Sequence, residues 1–158
     1  MSAQFIYDTA PLGSLIRFTN GETRPPARFT RKVAAWNTEN GMGRLVERMP
    51  ERIRPTYRSP ASFCLQLGND GGQGIVVIVV RRHYSLDSNL QFEIVETPRP
   101  GMVRVLSRFD DHDELRFLAP DMAVAEEWMA RHRYSDMHVE VVSDPDPVER
   151  PSSIGRAA

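Results

Sequence analysis

The sequence is poor in cysteine and in long apolar runs. Its 158 residues include one cysteine, Cys64, which excludes an internal disulfide and fits a reducing compartment. The longest apolar run, residues 75–80, has six residues and is too short to span a bilayer. The N-terminus has no basic stretch followed by an apolar one, so we expect no secretory signal. We therefore expect a cytoplasmic protein with no membrane partner.

Lysine is almost absent, because Lys32 is the only lysine among twenty Lys and Arg residues. The arginine excess runs through the whole chain, so we interpret it as codon bias in a GC-rich, bacterial genome. Net charge is −1, yet residues 1–60 carry ten cations against five acids, and residues 101–158 carry seven against twelve. This split indicates either an anion-binding half or two halves that attract each other within one fold.

Motifs that would fix a chemistry are missing as well. None of the four histidines falls in a His-x3-His or Cys-x2-Cys pattern, so a zinc site has no support. The glycine-rich run 69–74 contains no lysine and precedes a strand, which favours a hairpin turn over a phosphate loop. Cys64 lies in mid-strand, where we predict a packing role. We expect no catalytic residue, no metal and no cofactor.

Length and hydrophobic content predict a single α+β domain over residues 1–142. Alternating apolar and polar residues, or short apolar runs, predict strands at residues 4–7, 14–18, 43–49, 62–67, 75–80, 90–96, 102–108 and 137–142. Short loops between the four strands from 62 to 108 predict a central four-stranded meander within a mixed, mainly antiparallel sheet. The strand at 75–80 is apolar on both faces, which is typical of the centre of a sheet.

The first of two predicted amphipathic helices covers about residues 26–39. Phe29, Val33 and Trp36 recur at i, i+4 and i+7 and form its apolar stripe. The dipeptide Asn40-Gly41 predicts a left-handed cap at its C-terminus.

The second predicted amphipathic helix covers about residues 120–132, and its apolar stripe contains Trp128. We expect both tryptophans of the chain to be largely buried against the sheet. Residues 50–60, with three prolines, are predicted to be an exposed connection. Residues 143–158 have no apolar period and are predicted to form a disordered C-terminal tail.

Cations clustered in the first sixty residues form the main candidate binding surface. On the first helix, Arg28, Arg31 and Lys32 recur at i, i+3 and i+4, opposite the apolar stripe. Such clusters are the electrostatic footprint of phosphate binding. We predict that a protein or nucleic acid with an anionic surface binds to Arg24, Arg28, Arg31, Lys32, Arg44, Arg48, Arg52, Arg54 and Arg58.

The leading hypothesis is therefore a non-catalytic binding or regulatory protein. The acidic run 110–114 is predicted to be a solvated loop, because contiguous carboxylates point in different directions. A small enzyme with dispersed acid–base groups is the alternative, and its first candidates are His83, Asp111, His112 and Asp113. A structural subunit of a homo-oligomer is the third possibility, because a partner chain could cover one face of the strand at 75–80.

Overall fold

The computed structural model describes residues 1–70 and 78–143, without the side chains of residues 69, 70, 78 and 79. Within these residues the chain is α+β, with an eight-stranded antiparallel sheet, a two-stranded hairpin and three helices. In chain order the elements are α1 (Ala3–Thr9), β1 (Leu15–Thr19), α2 (Thr30–Glu39), β2 (Gly41–Met49), β3 (Arg52–Arg54), β4 (Tyr57–Ser59), β5 (Ser62–Asp70), β6 (Ile78–Ser85), β7 (Gln91–Glu96), β8 (Val103–Arg108), β9 (Asp113–Ala119), α3 (Met122–Arg131) and β10 (Met137–Val141). None of the helices in these ranges is long and apolar enough to cross a membrane.

The large sheet divides at β2. One edge of β2 pairs with β5, which pairs with β6. The opposite edge pairs first with β1, which continues to β7, and then, at Glu47, with Glu114 of β9, which continues to β8 and β10. β1 and β9 therefore share one edge of β2 and separate from each other beyond it.

Three clusters of buried side chains fill this arrangement. The α1 core lies between α1 and the strands β1, β2, β5, β6 and β7, and its largest side chains include Phe18, Phe63 and Phe92. The α3 core lies between α3 and the strands β8 and β9. A smaller junction core lies where β9 meets β2, and consists of Val46, Cys64, Leu106 and Leu115. The division of the sheet thus follows the burial of two helices against two separate groups of strands.

The prediction of a strand at residues 4–7 is wrong, because this segment belongs to α1. Ala3, Ile6 and Ala10 recur at helical spacing and are fully buried in the α1 core. The Ser2 side chain caps the helix by accepting the Phe5 amide N–H at 3.2 Å. Four residues were too few to distinguish alternation from a helical period.

The predicted meander from 62 to 108 does not form in the described part of the sheet. β5 and β6 make a hairpin, but β7 pairs with β1, and β8 pairs with β9 and β10. β6 starts at Ile78 and has one partner, β5, among the described residues, so it lies at an edge instead of the centre. Residues 71–77, which include most of the predicted turn 69–74 and the first half of the predicted strand 75–80, lie outside the described part. Burial against α1 and α3, and not loop length, selected the strand partners.

The first predicted helix is shorter than expected and does not pack its apolar stripe against the sheet. α2 begins at Thr30 rather than near residue 26, and none of its ten residues is buried. Its Trp36 is half-buried outside all three cores and donates its indole N–H to the Glu22 carbonyl at 2.9 Å. Asn40 has extended backbone at φ −138°, so the left-handed cap is also wrong.

Asn40 ends α2 through its side chain instead. Its amide N–H groups donate to the Trp36 carbonyl at 2.8 Å and to Asn20 Oδ1 at 3.0 Å. Its Oδ1 accepts from the Thr19 hydroxyl at 2.6 Å. This buried amide therefore ties the end of the helix to the end of β1, without a residue at positive φ.

The remaining expectations are mostly met. α3 occupies Met122–Arg131, with Trp128 packed against the α3 core, although this indole is half-buried and not fully enclosed. Residues 50–60 are exposed, but they form the hairpin of β3 and β4. β9 was not predicted, because its first residues belong to the acidic run. Of the predicted tail, residues 144–158 lie outside the described part.

Candidate functional site

Four cations of the predicted binding set lie on α2 or just before it. We call Arg24, Arg28, Arg31 and Lys32 the α2 basic surface. All four are exposed, and no carboxylate of the described residues lies within ion-pair distance of them. Phe29, 40% exposed, lies beneath two of them, with its ring centroid 4.8 Å from Arg28 Cζ and 5.1 Å from Lys32 Nζ. These charges remain available to an external anion.

Two arginines of the set are engaged within the fold. Arg44 donates to the Gly13 carbonyl at 2.6 Å, and Arg48 donates to the Tyr7 carbonyl at 3.3 Å. Both side chains are half-buried. These hydrogen bonds connect β2 to α1 and to the loop after α1, so both guanidinium groups stabilise the fold.

The last three arginines of the set belong to the β3–β4 hairpin. Arg58 pairs with Glu51 at 2.5 Å, Arg54 is exposed without a carboxylate partner among the described residues, and Arg52 binds Asp111. The hairpin follows the C-terminal end of β2, whereas α2 precedes its N-terminal end. Since β2 has nine residues, these two ends lie roughly 26 Å apart. The structure therefore divides the predicted set into three groups: the α2 basic surface, the two arginines of β2, and the three arginines of the hairpin at the opposite end of β2.

A linked group of four side chains, which we call the His112 cluster, lies at the hairpin end of β2. The imidazole N–H groups of His112 donate through Nδ1 to Asp111 Oδ1 at 2.6 Å and through Nε2 to Glu47 Oε1 at 2.5 Å. Arg52 donates to both oxygens of Asp111, at 2.9 and 3.1 Å. Because both acceptors are carboxylates, the two bonds together require a doubly protonated imidazole.

The charges of the His112 cluster support one another. Burial alone would lower the pKa of His112, but the hydrogen bonds to Asp111 and Glu47 outweigh burial and raise it above the ordinary value. The hydrogen bond from Arg52, with that from His112 next, holds the pKa of the Asp111 carboxyl well below its usual range. The cluster is thus most stable with a cationic imidazole between two anions.

We expect the contribution of His112 to stability to decrease as pH rises. Its pKa is higher in the folded state than the unfolded value of about 6.5, so the stabilisation is complete below that pH and disappears as pH passes the folded pKa. The measurement compares the free energy of unfolding of the wild type and His112→Gln in urea, from pH 5.5 to 9. The difference should be largest at acid pH, and a difference independent of pH would contradict this assignment.

Three members of the His112 cluster, Glu47, Arg52 and His112, line a cleft of about 310 Å³ between the hairpin and the loop at 109–112. Both imidazole nitrogens are already bonded to carboxylates, so His112 has no nitrogen free to accept a proton from a substrate. The cluster instead joins β2, the hairpin and the loop. Arg52–Asp111 is the one ion pair between a cation of the first sixty residues and an acid after residue 100 in the described ranges. Attraction between the two halves is therefore local.

A second charged group lies beside the first. The carboxylate of Glu114 is buried, accepts a hydrogen bond from Arg81 and forms an ion pair with Arg116 at 3.3 Å. Arg116 also donates to the Ser107 hydroxyl at 3.1 Å. Glu114 and Glu47 pair directly across β9 and β2, a position where like charges repel. Each carboxylate has cations of its own, which explains how two acids can be adjacent here.

The expectation of a solvated loop at residues 110–114 is therefore wrong in part. Asp110 and Asp111 are exposed, but the His112 side chain is only 10% exposed and Glu114 is buried. β9 begins within this run, at Asp113, and strand pairing turns alternate side chains inward. The acids point in different directions as predicted, but the side chain of Glu114 points into the protein.

The other candidates for acid–base chemistry are distributed over the sheet. Cys64 is fully buried in the junction core, and burial raises the pKa of its thiol to about 11, which disfavours a thiolate. His83 lies opposite Cys64 on β6, whereas Asp113 lies on β9 near Arg108 and His138. In the ranges the structure covers, no three His, Cys, Asp or Glu residues are arranged to hold a metal ion.

A groove of about 530 Å³ opens where β1 and β9 separate from each other along the edge of β2. Its walls are mainly apolar, including Leu15, Val46 and Leu118, and Arg44 is the polar residue of β2 that lines it. The volume is within the range of small-molecule pockets. None of the four residues named for the enzyme alternative lines this groove, so the groove and those acid–base groups are separate.

Comparison with known proteins places the chain in a family. Residues 1–146 match the family described as "Uncharacterised conserved protein UCP036055". The chain belongs to this family. No curated protein and no solved structure matches it. The matched region includes the α2 basic surface and the His112 cluster, and because the family description names no activity, a function must be argued from these two groups.

Sequence reasoning did not find several of the residues that organise the site. Glu47 was not a candidate, and no pairing of Arg81 with Glu114 was predicted, because nothing in the local pattern shows that three distant strands bring these residues together. One signal was present: Glu47 follows two apolar residues in a strand. A bulge in β2 at Val46 turns this side chain inward, and a bulge depends on tertiary pairing.

Proposed function

We propose that this protein is a non-catalytic binding protein whose α2 basic surface engages an anionic partner, a protein or a nucleic acid. The observation that carries the proposal is the position of α2. α2 buries none of its side chains, so the core does not explain its sequence. Its Arg31 and Lys32, with Arg24 and Arg28 just before the helix, are exposed and have no carboxylate partner among the described residues. Exposed Arg and Lys side chains on one helix are a common means of contacting phosphate or carboxylate groups.

The charge pattern of α2 indicates which side would face the partner. Glu22 and Glu39 lie with Trp36 along a cleft of about 560 Å³ on one flank of the helix. Arg28 and Lys32 lie over Phe29 at its N-terminal turn. An anion would therefore approach the N-terminal turn and avoid the acidic flank. Arg54 and Arg58 of the hairpin are too distant to belong to the same small contact.

The small-enzyme alternative has weaker support. Asp111 and His112 do lie together, but both imidazole nitrogens are occupied, and His83 and Asp113 lie elsewhere. The proposed role of Asp111 and His112 is to fix the hairpin and β2 relative to each other. Cofactor chemistry is not part of the proposal.

The test is a salt titration of polyanion binding. We expect the wild type to bind heparin, duplex DNA or single-stranded RNA at low salt, and replacing Arg28, Arg31 and Lys32 with alanine to weaken binding. If all three contact DNA phosphates, the slope of log K against log salt should flatten by roughly two to three units. The fold should persist, because α2 has no buried side chain.

The matched control replaces Arg99, Arg131 and Arg133 with alanine. These three arginines are also exposed, so the control removes the same charge from another part of the surface. It should bind like the wild type except for a small uniform loss. Absence of binding at low salt, or equal losses in both triple variants, would count against the α2 basic surface.

A further inference from the structure

β10 forms an exposed edge of the large sheet. Among the described residues it pairs with β8 and with no other strand. Four of its five residues are exposed, and it contains neither lysine nor proline, which commonly protect such edges. An unprotected strand edge is a template for pairing with another strand.

The hydrogen bonds at both ends of β10 show which backbone groups are free. Val142 donates to the Met102 carbonyl and accepts the Gly101 N–H, both at 2.8 Å, and the Asp136 carbonyl accepts from Arg108 at 3.1 Å. Even-numbered residues therefore turn their amides toward β8. Since antiparallel strands alternate, the residues that direct N–H and C=O groups to the open edge are Met137, Val139 and Val141.

We propose that β10 pairs with β10 of a second copy of this chain, antiparallel and centred on Val139. In this register Val139 lies opposite its own counterpart, and Met137 lies opposite Val141. These are hydrogen-bonded pairs, and their apolar side chains make a continuous strip on one face. On the other face His138 of each copy lies opposite Glu140 of the other. The five residues are therefore complementary to themselves in hydrophobicity, and the imidazole of His138 can donate a hydrogen bond to the Glu140 carboxylate.

The polar face of this pairing uses groups that the monomer leaves accessible. His138 and Glu140 form a non-hydrogen-bonded pair, the type in which opposite side chains are closest. Glu140 Oε1 accepts a hydrogen bond from Arg104 at 2.6 Å, and Glu140 Oε2 remains available as an acceptor. The His138 side chain is 44% exposed, with Asp113 at 3.7 Å as its nearest ion-pair contact. Each two-fold contact would contain two such pairs.

The opposite edge of the sheet lacks this complementarity. β7 is also an edge strand, but antiparallel pairing with its own copy centred on Glu93 places two carboxylates opposite each other, and centred on Ile94 it places Glu93 opposite Val95, so neither register gains a polar pair. A two-fold axis perpendicular to the sheet at β10 would join two sheets into one and leave both copies of α3 on the same face. The self-complementary strand thus specifies one closed dimer instead of an open fibre.

The test compares lysine substitutions on the two edges by sedimentation velocity over a range of concentrations. The wild type should dimerise. Val139→Lys places two lysines opposite each other and should lower the association constant at least about tenfold. Val95→Lys is the control, because Val95 lies on β7 and is 42% exposed, against 38% for Val139. Both variants should unfold at similar temperatures, since neither side chain is buried.

A covalent test fixes the register. Val139→Cys should form an intermolecular disulfide on mild oxidation, because Cα atoms of a hydrogen-bonded pair are about 5.5 Å apart, within disulfide range. Val95→Cys should not, and the native Cys64 is buried and does not interfere. His138→Lys should keep the dimer, whereas His138→Glu should weaken it. A monomeric wild type, a dimer that persists in Val139→Lys, or equal crosslinking of both cysteine variants would overturn the proposal.

Discussion

Replacing Glu114 with alanine is expected to destabilise the fold by about 3–5 kcal/mol. The carboxylate is buried and forms ion pairs with Arg81 and Arg116, so its loss leaves two guanidinium groups without their counter-ion. Removing one member of a buried ion pair costs more than removing both, because the remaining guanidinium groups, with side chains 32% and 20% exposed, are partly desolvated. Urea unfolding of the variant and the wild type measures the loss.

Two controls separate this effect from a general loss of charge. Glu126→Ala removes an exposed acid of α3 that has no ion pair among the described residues, and it should change stability by less than about 0.5 kcal/mol. The double variant Glu114→Leu with Arg81→Met should lose less free energy of unfolding than the two single variants lose together. Additive losses would mean that Arg81 and Glu114 do not interact in solution.

The two tryptophans are expected to differ by several-fold in their contribution to stability. Trp128→Ala should cost roughly 3 kcal/mol, because this indole packs against the α3 core and stacks on Phe117 and His132, with centroids 5.3 and 4.1 Å away. Trp36→Ala should cost less than about 1 kcal/mol, because Trp36 belongs to none of the three cores. Its one hydrogen bond is to the Glu22 carbonyl.

Thermal or urea unfolding of both variants provides the measurement. Near-equal losses would mean that α2 packs more tightly in solution than its exposed side chains indicate. That result would also weaken the proposed function, because α2 would then have a structural reason for its sequence. If Trp36→Ala loses little free energy of unfolding and still binds polyanions, then the cations and not the indole are responsible for binding.

The proposed function and the proposed dimer are independent, because they use different surfaces. The α2 basic surface precedes β2, whereas β10 lies at the edge beyond β8 and β9. A dimer would nevertheless present two basic surfaces to one extended anion, which raises the effective concentration of the second contact. The Val139→Lys variant should therefore bind a long polyanion more weakly than the wild type, and a short one equally.

Local periodicity was sufficient where one face of a segment is buried. The alternation in residues 62–67 placed Phe63 and Leu65 on the face of β5 that packs in the α1 core, although Cys64 on the other face is fully buried as well. The helical period of 120–132 identified α3. It failed at residues 4–7, where the segment is short, and at α2, whose apolar stripe has no core to meet. An apolar stripe predicts a helix but not the surface against which the helix packs.

The sequence by itself determined the α+β class, the mainly antiparallel sheet and the exposed cations of α2, because these depend on side-chain chemistry and short-range period. Only the tertiary structure decided that β7 joins β1, that β9 meets β2 at Glu47, and that Arg44 and Arg48 donate to backbone carbonyls. The physical reason is that strand partners and buried ion pairs are selected by contacts between residues far apart in the chain. Their free energy depends on desolvation and packing, which no local pattern contains.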